Sequence, residues 1–344
     1  MICYLSRNYK DTDSAGNKAK TDIEKTLAAM GCRNVGLPMS VSANPVTHFL
    51  LTLASVLKAP LCLHRGDILV VQYPLKKYFT AVCRAAHARG ARVVTVIHDL
   101  GSFRRKALTP GQEMKRLGHS DYIIAHNDSM KQWLESRGCR VPVGTLKIFD
   151  FLSSRQARPR GTAGSPYTVV YAGALNIRKN RFLYEWGALA DNYDISIYGN
   201  GFEPEQAKRP EKFRMMGFVP SDKLISTASG DFGLVWDGAS TEACTGDWGE
   251  YLKINAPHKT SLYLRCLLPV IIWDKAAMAP FVRDNGVGIC IASLSQLGEA
   301  LAAITPEKYA RMLDNVRAVS SNLADGYYIK TAVREAADKL NRNL

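Results

Sequence analysis

The arrangement in this sequence best suited to chemistry is a lysine two residues behind a proline. In the run Asn255-Ala-Pro-His-Lys259-Thr-Ser, Asn255 is a helix-capping residue type and Pro257 belongs in a first helical turn, so Lys259 is expected in that turn too. Unpaired backbone N–H groups and the positive end of the helix dipole meet there, and an ammonium adds a full charge. The apolar run 267–273, rich in β-branched residues, reads as a buried strand after a short helix. Helix start, lysine and return strand describe a cradle for a diphosphate, with a solvated surface lysine as the competing account.

Other chemistry-bearing groups fall between expected strands and helices. His98-Asp99 follows an apolar strand and precedes Arg104 and Arg105, where a carboxylate or an imidazole could take a proton from a bound hydroxyl. Asp99 could equally cap the next turn. Asn176-Ile-Arg178-Lys179-Asn-Arg181 places three cations after a glycine turn, and Arg178 or Arg181 could hold phosphate oxygens through paired donors. Gly217-Phe218-Val-Pro could offer an aromatic wall to a base. Gly16-Asn17 precedes a helix, and glycine permits close approach of backbone to ligand. Asp11-Thr12-Asp13 has the form of a divalent-metal pair, but such acidic triplets are common in turns, and no metal is assigned. Neither a Rossmann glycine fingerprint nor a Walker motif occurs, which tells against hydride transfer and NTP hydrolysis.

Elements must position these groups. Expected strands at 2–5, 67–72, 92–97 and 122–125 alternate with helices at 17–30, 78–89, 110–117 and 128–137. Strands such as Ile-Leu-Val-Val are apolar throughout, the mark of a parallel sheet covered on both faces. The breaker-rich stretch 153–166 reads as a linker. A second alternation follows, with strands at 168–172, 195–198, 213–218, 232–236 and 270–272 and helices at 182–190, 221–226, 257–266 and 294–303, then a helical tail. The expected fold is α/β, two doubly wound domains facing across a cleft: 1–152, a linker 153–166, 167–320, and a helix within 321–344 packing back on the first domain.

Composition fits this reading. The 344 residues suit two domains. Hydrophobic content of 47% and charged content of 22% describe a globular protein without repeats. A net charge of +14 favours phosphate-bearing ligands or acidic surfaces. Eight scattered cysteines without a Cys-x-x-Cys point to a reducing compartment and away from structural zinc. The apolar region 46–63, broken by His48, Lys58 and Pro60, reads as a core helix, with partial seating in a membrane as the alternative.

Taken with these halves, Tyr171-Ala-Gly-Ala-Leu, Gly217-Phe-Val-Pro, Gly233-Leu-Val-Trp-Asp237, Asn255-Ala-Pro-His-Lys259 and Leu268-Pro-Val-Ile resemble GT-B glycosyltransferases. More narrowly the chain resembles the bacterial galactofuranosyltransferase and adhesin-glucosyltransferase group over nearly its whole length. The resemblance implies a hexose moved from a UDP-sugar to a hydroxyl of a glycan or lipid-linked saccharide, without metal or other cofactor. It further implies that Lys259, Thr260 and Ser261, with the adjoining His258, contact the diphosphate and that Arg181 assists. Phe218 would flank the nucleoside, and Asn17 would reach in from the first domain. Asp237 and Glu242 are candidate partners for donor-sugar hydroxyls. Glu242 and Glu250 have the mutual spacing of a motif of large retaining families but fall well upstream of its place, where Leu262 stands. The implied setting is cytoplasmic, with peripheral contact to an anionic inner membrane face and homo-oligomerisation as options. A UDP-sugar epimerase of the same architecture and a basic nucleic-acid-binding protein are the alternatives, although no nucleic-acid-reading motif is present.

Overall fold

The computed structural model describes residues 1–12, 14–103, 107–161, 164 and 166–342; Asp13, Arg104 and Arg105, singled out above, lie outside them. The chain divides into two units, Met1–Asp150 with Asp325–Leu344, and Phe151–Ala324.

Unit 1 contributes β1 (Ile2–Tyr4), β2 (Asn8–Tyr9), β3 (Arg33–Asn34), β4 (Ser40–Val41), β5 (Ile68–Tyr73), β6 (Arg92–Ile97), β7 (Tyr122–Ala125) and β8 (Val143–Thr145). Its main sheet is parallel, in the order β3-β1-β5-β6-β7-β8, while β2 pairs with β4 apart from it. All residues of β5 and β7 are buried, as a sheet with two covered faces demands. The helices are α1 (Ala15–Ala29), α2 (Pro45–Cys62), α3 (Phe79–Ala88), α4 (Pro110–Leu117) and α5 (Asp128–Ser136). Helix α1 starts behind Ser14 and not at Asn17, so Gly16 and Asn17 occupy its first turn instead of a glycine loop.

The expectation of a core helix at 46–63 is corrected. Asn44 caps α2 by accepting from the Val46 and Thr47 amides, but only Thr52, Ser55, Val56 and Ala59 are buried. Among the described residues α2 is the one helix long and apolar enough to cross a membrane, with a mean hydropathy of 1.3 and 22% of its residues buried.

Unit 2 contributes β9 (Tyr167–Ala172), β10 (Tyr193–Tyr198), β11 (Phe213–Met215), β12 (Phe232–Val235), β13 (Val270–Trp273) and β14 (Gly288–Ile291). They form one parallel sheet in the order β11-β10-β9-β12-β13-β14. Its helices are α6 (Phe182–Trp186), α7 (Ser221–Thr227), α8 (Gly246–Tyr251), α9 (His258–Arg265), α10 (Ala279–Asp284), α11 (Leu297–Ala302) and α12 (Pro306–Asp325), the last ending at the unit boundary. Strand β11 stops at Met215, short of Phe218, because Gly217 turns the chain at φ +71°. Residues 153–161 carry no helix or strand. Arg160 ties this stretch to unit 2 by donating to the carbonyls of Ala228, Gly230 and Cys266.

The chain then returns to unit 1 as α13 (Tyr327–Arg342), which packs on α1, β7 and β8. Buried Asp150 accepts from the Tyr328 and Ile329 amides at 3.1 and 2.8 Å, satisfying first-turn donors of α13.

Candidate active site

In unit 2 the sheet order, renumbered along the chain, is 3-2-1-4-5-6. Connections therefore leave β9 and β12 in opposite directions, and the crevice outside their carboxyl ends is where such a sheet holds a ligand. Its rim is nearly bare backbone. The Gly173 amide donates to Tyr198 O at 2.9 Å, and the Gly199 amide to Gly217 O at 3.0 Å. Gly199 has φ +150°, and a Cβ there would lie 1.9 Å from Gly173 O. Only glycine lets these strand ends approach each other.

Lys259 enters this crevice from α9. That helix is set by Tyr263, whose ring lies where a Cβ on Gly233 of β12 would stand and whose hydroxyl accepts from the Ala172 amide at 2.7 Å. The cap is Pro257, not Asn255, since Asn255 Oδ1 is buried without a hydrogen-bond partner among the described residues. Lys259 remains in the first turn. Its Nζ donates at 3.1 Å to Asp237 Oδ1 and at 3.1 Å to the Tyr171 hydroxyl, and it stands 4.3 Å from the centre of the Tyr171 ring. Tyr171 in turn donates to Asp237 Oδ1 at 3.3 Å. Burial, reinforced by Asp237, pushes the Tyr171 hydroxyl well above its ordinary pKa, so it stays protonated and the direction of that bond is fixed. The side chains of Lys259 and Asp237 are only 14% and 11% exposed. A cation is thus held at the switch point by a carboxylate from the β12 end and a phenol from β9.

The remaining candidates of this half divide into two sets. Thr260 and Ser261 are fully buried, and Thr260 Oγ1 has no hydrogen-bond partner among the described residues. The His258 ring stacks on Phe151 at 4.9 Å. Arg178 and Arg181 are exposed in the loop after β9, with Arg181 leading into α6. Phe218 is 64% exposed beyond β11. Glu242 is exposed and takes a hydrogen bond from Ser295, and Glu250 pairs with Lys253 at 2.6 Å, so the partner of each carboxylate is a residue other than Lys259. Sequence reasoning missed Trp248 of α8, whose ring lies 4.6 Å from Lys179 Nζ and so sets an aromatic surface beside the basic loop.

In unit 1, His98 and Asp99 lie half-buried where β6 ends. His98 Nε2 is 2.7 Å from Gln72 Oε1, and its ring stacks on Phe149 at 5.3 Å. The loop after Asp99 is anchored by a residue that sequence reasoning did not single out. Glu113, fully buried in α4, accepts from the Tyr73 hydroxyl at 2.8 Å, from the Gly101 and Ser102 amides at 2.9 Å each, and from the Ser102 hydroxyl. Asn17 Nδ2 donates to Asp11 Oδ2 at 3.0 Å, and Asp11 also accepts from the Ser14 amide at 2.8 Å. A second missed carboxyl, Glu24 of α1, accepts from the Ser6 hydroxyl at 2.5 Å and from the Tyr9 hydroxyl. Burial raises Glu24 to about 7. Among the described residues no three His, Cys, Asp or Glu side chains gather as a metal site would require.

Comparison with known proteins settles the family. The glucosyltransferase 3-like N-terminal domain matches residues 2–148, and the glucosyltransferase 3-like C-terminal domain matches residues 169–336. β-1,6-Galactofuranosyltransferase WbbI of Escherichia coli K12 is 33% identical over 288 residues, 81% of each chain. Glucosyltransferase 3 of Streptococcus gordonii is 25% identical over 284 residues, 79% of each chain. Among solved structures, Anabaena HepE in complex with UDP-glucose has a TM-score of 0.60 at 15% identity, covering 98% of this chain and 99% of its own. The lipopolysaccharide outer core galactosyltransferase WaaB, in its apo form, has a TM-score of 0.59 at 13% identity, covering 96% of this chain and 97% of its own. These two show the fold, which is GT-B. Two domain matches that together take in nearly the whole chain, and a relative one-third identical over four-fifths of it, place this protein in the glucosyltransferase 3-like family of glycosyltransferases.

Proposed function

We propose that the protein transfers a hexose from a UDP-sugar to a hydroxyl of a glycan or lipid-linked saccharide, and that it does so without a metal. The observation that carries this reading is the Lys259 ammonium, held by Asp237 and Tyr171 at the switch point of unit 2. Cleaving the bond between sugar and diphosphate develops negative charge on the leaving UDP, and a fixed cation beside a helix N-terminus stabilises that charge as it forms. Lys259 supplies the cation, Thr260 and Ser261 the neighbouring polar groups, and Arg178 or Arg181 a second charge on the phosphates. The Asp237 carboxylate orients Lys259 and accepts from donor-sugar hydroxyls. Phe218 stacks on the base. Asp99 or His98 is the base we assign to the attacking hydroxyl, and Asn17 and Gly16 are further donor-binding candidates. UDP-glucose in the HepE complex and the sugars in the names of both relatives support a hexose on UDP. A cytoplasmic enzyme at the inner membrane face suits a lipid-linked acceptor.

Differential melting with UDP-, GDP-, TDP- and CMP-sugars tests the donor. Stabilisation by UDP species that is lost in Lys259→Ala is the expected outcome, and equal response to all four nucleotides would overturn it. Conversion of the donor sugar with no acceptor present would instead identify an epimerase.

A further inference from the structure

We infer that α2 is a bilayer-seating element, which lays its leucine face on an anionic membrane surface while the rest of unit 1 stays in water. This rests on the membrane-face setting proposed above and deepens it by naming the element that makes the contact, and it does not depend on the donor chemistry. The geometry is that of an amphipathic helix turned inside out. At about 100° per residue, Val46, Leu50, Ala54, Leu57 and Leu61 fall on one stripe, and Thr52, Ser55, Val56 and Ala59 fall on the opposite side. The second set is the buried one, so the face packed on the protein carries two hydroxyls and the face toward solvent carries leucine. Leu61 is 80% exposed, Leu57 63%, Leu50 56% and Val46 65%. Val41 and Met39, just ahead of the helix, are exposed as well, at 55% and 39%. Water does not favour so long a run of exposed aliphatic side chains, and an exposed apolar patch of this kind marks an interaction surface. Four residues anchor α2 to unit 1, which makes it lie along a surface and not span one.

Charge selects the occupant. Between Glu24 and Asp99 the sequence has nine Lys and Arg and a single acidic residue, Asp67. That carboxylate is already neutralised, by Arg33 at 2.6 Å and by the N-terminal amine at 3.3 Å. The cations flank the apolar stripe at both ends. Lys77 Nζ sits 4.9 Å from the centre of the Phe49 ring near the start of α2. Arg89 donates to Leu63 O at 3.4 Å where α2 ends, and the Arg65 side chain packs on Gly90 beside it. Leucine in the centre with basic side chains around it matches acyl chains below anionic headgroups. A second copy fits less well, since pairing this face with itself about a two-fold axis brings the same cations together.

The test is co-sedimentation of the full-length protein with phosphatidylcholine vesicles made with and without phosphatidylglycerol. Binding to the anionic vesicles that weakens with salt is expected. The double variant Leu50→Glu/Leu57→Glu should bind about tenfold less or worse, since two carboxylates would have to enter the apolar zone. Lys77→Glu/Arg65→Glu, which leaves the leucine stripe intact, should also lose roughly tenfold on the anionic vesicles. Both variants should keep the wild-type near-UV spectrum and the melting response to UDP, which separates loss of lipid from loss of fold. Absence of vesicle binding by the wild type, or equal binding to neutral vesicles, overturns the proposal. A concentration-dependent dimer in sedimentation velocity, dissolved by Leu50→Glu/Leu57→Glu and indifferent to lipid, overturns it also and gives the face to a second copy.

Discussion

Lys259→Ala separates the two roles an almost buried lysine can have. In the ligand-free protein, the ammonium and the Asp237 carboxylate stand 3.1 Å apart, and at an effective dielectric of about 20 that attraction is roughly 5 kcal/mol before desolvation is subtracted. Removing the cation leaves Asp237 with Tyr171 as its one side-chain donor among the described residues, so the variant is expected to lose about 3 kcal/mol of stability. Asp237→Asn on top of it removes the stranded charge and should restore most of that loss. Ligand binding should not recover. A charged donor to a diphosphate contributes about 1.5–3 kcal/mol, so UDP should bind up to ~100-fold more weakly in both the single and the double variant. With UDP at 100 times the wild-type Kd, ligand stabilisation is about 2.7 kcal/mol; a 100-fold weaker site lowers it to about 0.4 kcal/mol. Melting curves of the three proteins with and without UDP give both quantities. If the double variant regains stability and also keeps the full response to UDP, Lys259 is a structural partner of Asp237 and the reasoning fails.

Three further outcomes follow from single features. Phe218→Ala should leave the melting temperature unchanged, because the ring is exposed, while raising the Kd for UDP by about tenfold through lost stacking; melting curves of the ligand-free variant read the first and isothermal titration the second. Gly199→Ala must place a methyl against Gly173 O at a positive φ, so it should cost about 3 kcal/mol or more in denaturant unfolding, and a loss under 1 kcal/mol would contradict the described crevice rim. Glu24, raised from 4.5 to about 7, keeps its proton when folded and releases it when unfolded. Its contribution is present below pH 4.5 and lost as pH rises through 7, so wild-type stability should fall by roughly 2 to 3 kcal/mol more than that of Glu24→Gln between pH 5 and 8. His126, pushed down to about 3 by burial, acts in the opposite sense below pH 6.5 in both proteins, and equal slopes would show that Glu24 ionises normally.

Much of the fold could be read from patterns that need no partner to interpret. The uninterrupted Ile-Leu-Val-Val and Val-Val-Thr-Val-Ile runs gave β5 and β6, and the Thr109 and Gln112 capping box marks the start of α4. The pattern in 46–63 gave a helix but not its surroundings. Hydrophobicity reports that a residue prefers to leave water, not where it goes, and on α2 Leu50, Leu57 and Leu61 remain outside. Asn255 looked like a cap because its type fits. Pro257 took the position instead, its φ of −67° and ψ of 130° being the extended geometry a cap requires. The β14 segment Gly-Ile-Cys-Ile was too short and too little alternating to stand out, and Gly288 is there because a Cβ would lie 1.9 Å from Val270 O. Within the candidate site, Lys259 was legible from its place behind a proline. Its neighbours were less so: Tyr171 is 88 positions away, and the bond between them exists only because Tyr263 seats α9 on Gly233. Glu113 was invisible for a related reason, since a glutamate in an amphipathic helix reads as solvent-facing until a loop 11 residues earlier donates to it.

The return of α13 to the first unit has a consequence for how the polypeptide can be made and cut. Asp150 waits for amide donors that stand about 180 positions later, so the opening half emerges from synthesis with a gap in its wall, which stays open while the intervening half is already complete. A protease nick or a genetic split at the Asp150/Phe151 boundary therefore does not yield two whole domains. It yields one whole domain carrying the other's last helix as a loose tail.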